Sequence, residues 1–226
     1  MQHKLVVFDN SGVLVDSEAL GNRLLAEMLT AEGVPTTFAD AVTHYLGTSF
    51  ADVLATVRRN TGVTLAEDFG DRFHARLFET FERELTAMPG IHGVLDELDA
   101  LGVPYCVASN DTADRVRVTL GLTGLAARLA GRVLGADLVA LPKPAPDLFL
   151  LAAERFGVAP EECLVVEDSA RGVAAARAAG TTVFGLASLT PRDRLSGAHR
   201  VLGSLAELRP LLPGLCAVPQ FLEARA

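Results

Sequence analysis

The chain is poor in several residue types, and each shortage excludes something. Its 226 residues include three cysteines, two lysines and no tryptophan. Cys106, Cys163 and Cys216 lie far apart, in or near apolar runs. That rules out metal-type cysteine spacing and leaves an odd number for disulfides, so they read as reduced packing residues of a cytoplasmic protein. No apolar run approaches membrane-spanning length, and residues 1–9 already read as a strand rather than a secretory leader. Basic charge is also in deficit. A formal net charge of −8 and a pI near 5.1 argue against nucleic acid or an anionic membrane as partner. Internal repeats and low-complexity tracts are absent. Apolar material, in contrast, is plentiful: 50% of residues are hydrophobic and the mean hydropathy is +0.31, enough for one large core with a modest insertion.

Leu5-Val6-Val7-Phe8 reads as a short, fully buried strand that runs into Asp9 and a small-residue turn at Ser11-Gly12. Residues 17–32, 36–46, 50–60 and 66–86 follow as helices. Ser17 is the expected cap of the first. In the last, Phe69, Phe73, Leu77, Phe78, Phe81 and Leu85 are expected to share one packing face. Met88-Pro89-Gly90 then breaks the chain and its texture changes. A helix at 91–101 leads to a strand at Tyr105–Ala108, a helix from about 112 and a short strand at 132–134. Pro142-Lys143-Pro144 marks a rigid loop before a helix at 146–156. A strand at 164–166, a helix at 170–179, a strand at 182–185, a short strand near Val201 and a helix at 203–212 complete the series. This alternation predicts an α/β fold: a Rossmann-like, doubly wound parallel sheet with helices on both faces. The expected core is residues 1–16 and 87–212, with an all-helical cap, 17–86, inserted between the first two strands. Residues 213–226 form an unassigned tail.

Three predicted strands end in polar residues: Asp9, Ser109-Asn110 and Glu167-Asp168. In parallel sheets ligands bind just beyond the carboxyl ends of the strands. Taken singly, each group has a structural reading. Ser109-Asn110-Asp111 caps a helix, Glu167-Asp168 suits a helix N-terminus, and Lys143 is a surface lysine. Taken together at neighbouring strand ends, they describe one crevice holding three carboxylates, an ammonium and a hydroxyl. The acids alone repel, which makes a divalent cation the natural partner, and hard oxygen ligands suit Mg2+. The lysine and the Ser-Asn turn suit a phosphate.

The chain resembles the haloacid dehalogenase superfamily of hydrolases, in the group with a helical cap after the first strand, similar to β-phosphoglucomutase and sugar-phosphate phosphatases. The resemblance rests on Phe8-Asp9 with Gly12-Val13-Leu14-Val15-Asp16-Ser17-Glu18, on Val107-Ala108-Ser109-Asn110, on Lys143-Pro144-Ala145-Pro146-Asp147, and on Val166-Glu167-Asp168-Ser169 with Gly172. These motifs stand in the family's order. The resemblance implies that Asp9 is the nucleophile, forming an aspartyl-phosphate. It implies that Asp9, Asp168 and the Ser11 carbonyl hold Mg2+, with Glu167 acting on the metal's waters. Ser109, Asn110 and Lys143 would bind the phosphoryl group. The cap loop, through His44, Thr48 and Ser49, would choose the substrate. The implied partner is a small phosphorylated metabolite, and the implied state a monomer or weak homodimer.

One position departs from the family pattern. Phosphatases of the family carry an acid/base Asp two residues after the nucleophile, where this chain has Ser11. A hydroxyl is too weak an acid to replace a carboxyl, and the loss is on the order of 10²–10⁴ in rate, roughly 3–5 kcal/mol of barrier. Pro142, where relatives have Gly, is a smaller departure. Branches that lack the Asp include dehalogenases, which use no Mg2+, and phosphonoacetaldehyde hydrolases, which need a cap lysine; the only lysines here are Lys4 and Lys143. The expectation is a Mg2+-dependent phosphatase with slow or specialised chemistry. A phosphate-binding pseudoenzyme is the alternative, and a dehalogenase the weaker third.

Overall fold

The computed structural model describes residues 2–216. They divide into two compact units, one running to Val15 and resuming at Ala87, the other Asp16–Thr86. The first unit is built on a six-stranded sheet. Its strands are β1 (Leu5–Phe8), β2 (Tyr105–Ala108), β3 (Val133–Leu134), β4 (Cys163–Glu167), β5 (Thr182–Leu186) and β6 (Arg200–Leu202). Their order is β3-β2-β1-β4-β5-β6, and every pairing is parallel. The chain winds outward from β1 to β3, then crosses back to β4 on the other side of β1. The order therefore reverses at β1, the switch point where such sheets bind ligands. Phe8 pairs with Val107 on one side and Val166 on the other, so these three strands end level. β1, β2 and β4 are buried at every residue, as expected of strands covered on both faces.

The second unit comprises α1 (Ser17–Ala31), α2 (Phe38–Tyr45), α3 (Phe50–Thr61) and α4 (Phe69–Glu84). Leu25, Leu29, Ala41, Val53, Val57 and Phe69 lie in its core, and the Phe50 ring stacks on Phe69 and Phe73 at 6.1 and 5.1 Å. Two expectations fail here. Ser17 does not cap α1: it is already the first helical residue, Asp16 holds the cap position, and the Ser17 hydroxyl is buried without a partner. Capping needs extended backbone at the cap residue itself, which a helical Ser17 lacks. Phe78 is also not on the packing face. It is 48% exposed while Phe69 and Phe73 are buried, because nine residues at about 100° each carry it to the opposite side of the helix from Phe69.

In the first unit the chain continues through α5 (Ile91–Ala100), α6 (Ala113–Leu122), α7 (Asp147–Phe156) and α8 (Ala170–Ala178). Phe149 and Ala152 of α7 join Val173 and Ala176 of α8 against Leu5, Val7, Cys106 and Val165. The expected helix at 203–212 is broken into α9 (Leu205–Leu208), a 3-10 turn (Arg209–Leu211) and α10 (Leu212–Leu215). Pro210 and Pro213 have no N–H to carry one helix through. Beyond α10, Cys216 bridges to His3, whose N–H donates to the Leu215 carbonyl at 2.7 Å. The remainder of the tail lies outside the described residues. Among those described, no helix is long and apolar enough to cross a membrane.

Candidate active site

The site is built on the level ends of β1, β2 and β4. The Asp9 N–H donates to the Val166 carbonyl at 2.9 Å, which fixes the carboxylate at the end of β1. The chain then turns tightly. The Asn10 carbonyl accepts from Leu14 and Val15 N–H groups at 2.8 and 3.1 Å, and Gly12 N–H donates to Val15 at 2.9 Å. Gly12 has φ +73°, and a Cβ there would lie 2.1 Å from Asp168 Oδ2. Only glycine satisfies both the left-handed backbone and the close approach to that carboxylate. Glu167, the last residue of β4, is fully buried and Asp168 follows it. Gly172 leaves room for the Glu167 carboxylate, since a Cβ there would lie 1.9 Å from it.

Lys143, on the loop between β3 and α7, joins these groups and is 2% exposed. Its ammonium donates to Asp9 Oδ1 at 2.7 Å, to Glu167 Oε1 at 2.5 Å and to the Ala108 carbonyl at 2.7 Å. Three donors meet three acceptors, so the ammonium is saturated by protein. Its nitrogen also sits 4.9 Å from the Phe149 ring centroid, a cation–π contact. The second Glu167 oxygen accepts from the Ser169 N–H and hydroxyl at 3.2 and 3.0 Å. Glu167 therefore anchors Lys143 with both oxygens engaged. Burial pushes the Asp9 carboxyl up to about 7; Lys143 opposes that shift and the Glu167 charge adds to it. For Lys143, burial pulls downward, but Asp9 and Glu167 outweigh it and hold the ammonium above its ordinary value.

Carboxylate oxygens of Asp9, Glu167 and Asp168 all lie within 4.8 Å of one another. The three carboxylates supply hard oxygen donors, and this donor set fits a divalent cation.

Ser11 lies in the Asn10–Val15 turn, half-buried. Ser109 closes β2, its N–H donating to Leu134 at 2.9 Å and its hydroxyl accepting from the Asp111 N–H at 3.1 Å. Asn110 is committed at both ends of its amide to the Lys143 main chain: Nδ2 donates to the carbonyl at 3.0 Å, and Oδ1 accepts from the N–H at 2.8 Å. His44, Thr48 and Ser49 belong to the other unit. His44 is exposed on the last turn of α2. The Thr48 hydroxyl donates to the Tyr45 carbonyl at 2.7 Å, and Ser49 caps α3 by accepting from the Asp52 N–H at 3.2 Å. Sequence reasoning passed over Phe149, and it passed over Arg171, whose Nη2 donates to the Lys143 carbonyl at 3.0 Å. Neither carries a sequence signal: one reads as a helix packing residue, the other as one of many surface arginines.

Known proteins are similar to this chain over most of its length. The probable pseudouridine-5'-phosphatase of Drosophila melanogaster is 34% identical over 221 residues, covering 93% of this chain and 94% of the fly protein. A haloacid dehalogenase family hydrolase from Deinococcus radiodurans R1, solved with bound phosphate and sodium, superposes with a TM-score of 0.81 at 33% identity, covering 96% of this chain and 99% of its own. The bifunctional riboflavin kinase/FMN phosphatase of Arabidopsis thaliana is 27% identical over 90% of this chain, which spans only 54% of that longer protein. The pattern of the haloacid dehalogenase-like hydrolases matches residues 3–180, and the chain belongs to that family.

Proposed function

We propose that this chain is a Mg2+-dependent phosphatase of small phosphorylated metabolites, working through an aspartyl-phosphate on Asp9. The observation that carries the reading is the saturated Lys143 ammonium, held between Asp9 and Glu167 beside Asp168 at the switch point of the sheet. In this reading an ionised Asp9 oxygen attacks phosphorus: the Asp9–phosphorus bond forms, and the bond to the leaving oxygen breaks. Water then attacks the phosphorus and releases phosphate from Asp9. Lys143 favours the ionised carboxylate in a buried setting that otherwise favours its protonation. To meet a phosphoryl oxygen the ammonium must exchange one of its protein partners, and the Asp9 bond is the one that the reaction itself alters. The Ser109 O–H donates to a second phosphoryl oxygen. Asp9, Asp168 and the Ser11 carbonyl would hold Mg2+, which when bound supplies positive charge against the phosphoryl oxygens.

Ser11 specialises this chemistry. Protonation of the leaving oxygen and activation of water both want a carboxyl there. Alkyl phosphates depend on the first step most, aryl and acyl phosphates least. The test is a Mg2+-dependent screen over phosphorylated sugars, nucleotides and acyl phosphates, with Asp9→Asn as control. Wild type should release phosphate from activated esters, and Ser11→Asp should accelerate an alkyl phosphate by on the order of 10²–10⁴. Silence from both proteins would favour a phosphate-binding pseudoenzyme, the second reading that the Ser11 hydroxyl keeps in view.

A further inference from the structure

Lys143 stands in a loop that is badly equipped to hold itself. Pro142 and Pro144 flank it and neither has an N–H to donate. Within the loop the Ala145 N–H reaches the Pro142 carbonyl at 3.0 Å, and the fastening of Lys143 comes from outside. Asn110, arriving from β2, takes the Lys143 N–H and donates to its carbonyl. Arg171, in the first turn of α8, donates to the same carbonyl from the β4 side at 3.0 Å. Both lone pairs of that oxygen are therefore used, by two different elements of the sheet edge. The two loops beside the lysine, one following β2 and the other β4, are tied together through its peptide group.

We infer that Arg171 is a positioning residue, whose guanidinium sets the Lys143 main chain and through it the ammonium that joins Asp9 to Glu167. A flexible four-carbon stem delivers a charge accurately only if its root is fixed. The ammonium meets three acceptors at once, so a small shift of the root breaks at least one contact. Misplacing a reacting group by about 1 Å can cost on the order of 10² in rate. Arg171 is exposed, so replacing it leaves the buried core untouched.

The lysine count makes this testable without turnover. Lys4→Arg preserves the surface pairing with Glu162 and leaves Lys143 as the only lysine. In 15N-lysine-labelled protein of that background, the buried ammonium should give one slowly exchanging side-chain signal. Arg171→Met should shift it and speed its proton exchange at least about tenfold. Arg171→Lys, which keeps a donor, should recover part of the protection; its own ammonium is exposed and is told apart by fast exchange. The activity arm rests on the phosphatase reading: there Arg171→Met should lower kcat about tenfold with KM within about twofold. An unchanged Lys143 signal in Arg171→Met overturns the inference, whatever the activity. Equal acceleration by the Met and Lys variants assigns the effect to lost packing and also overturns it. If wild type has no phosphatase activity but the signal responds as described, the positioning role stands and the functional reading falls.

Discussion

Gly172 and Gly121 should respond oppositely to the same substitution. Both are helical, Gly121 in α6 and Gly172 in α8. Alanine in place of a helical glycine stabilises by about 0.5–1 kcal/mol when its methyl has room. At Gly121 a Cβ meets nothing within 4 Å, so Gly121→Ala should gain that amount. At Gly172 the methyl would lie 1.9 Å from the Glu167 carboxylate carbon. Glu167 cannot swing aside, since it is fully buried and held by Lys143 and Ser169. Pushing it off Lys143 leaves two buried charges poorly paired, a loss of about 3–5 kcal/mol. After the helical gain of about 1 kcal/mol, Gly172→Ala should lose a net ~2–4 kcal/mol. For a chain of this length that is roughly 5–15 °C in Tm. Urea unfolding of the wild type and the two variants measures the difference at matched slopes. If Gly172→Ala unfolds within about 0.5 kcal/mol of wild type, Glu167 is not pinned as described, and its role in holding Lys143 fails.

Mg2+ should raise Tm in a concentration-dependent way, and Asp168→Ala should abolish the shift. Burial raises Asp9 from 3.8 to about 7 in the folded state, so its contribution to metal-free stability is lost as pH rises through that window. The ion takes the ionised carboxylate, and its stabilising effect should therefore be larger at pH 8 than at pH 5.5. Burial also pushes the Cys163 and Cys216 thiols from 9.0 up to about 12 and about 11, and raises Cys106 further. All three should resist iodoacetamide at pH 8 in the folded protein and react in urea, as read by mass spectrometry. Stability should begin to fall above pH 9, where the unfolded thiols ionise first. In the helical unit, Ser49→Ala removes the α3 cap and should cost about 1 kcal/mol; His44→Ala, at an exposed position, should leave stability intact.

The strands were legible because fully buried runs such as Leu5–Phe8 and Tyr105–Ala108 have few other destinies in a chain of alternating texture. The helices were legible from their apolar stripes, but their details were not. Phe78 looked like part of a stripe until the helical rotation was counted, and Ser17 looked like a cap until the backbone placed Asp16 there. Pro210 and Pro213 stood in plain view, yet how they divide the last helix depends on the packing that follows.

Asp9, Ser109, Lys143, Glu167 and Asp168 could be nominated from sequence because each ends or follows a buried strand or sits between prolines. Convergence was another matter. It required β4 to cross back beside β1, which sequence order alone leaves open. The saturation of Lys143 by Asp9, Glu167 and a carbonyl, the commitment of Asn110 to the Lys143 peptide, and the grip of Arg171 on it appeared only in three dimensions. Local sequence determines which segments are buried, because periodicity and backbone sterics act over a few residues. Which polar atoms meet is decided by strand order and by rotamers packed in a crowded interior, and residues far apart in the chain carry no local trace of that pairing.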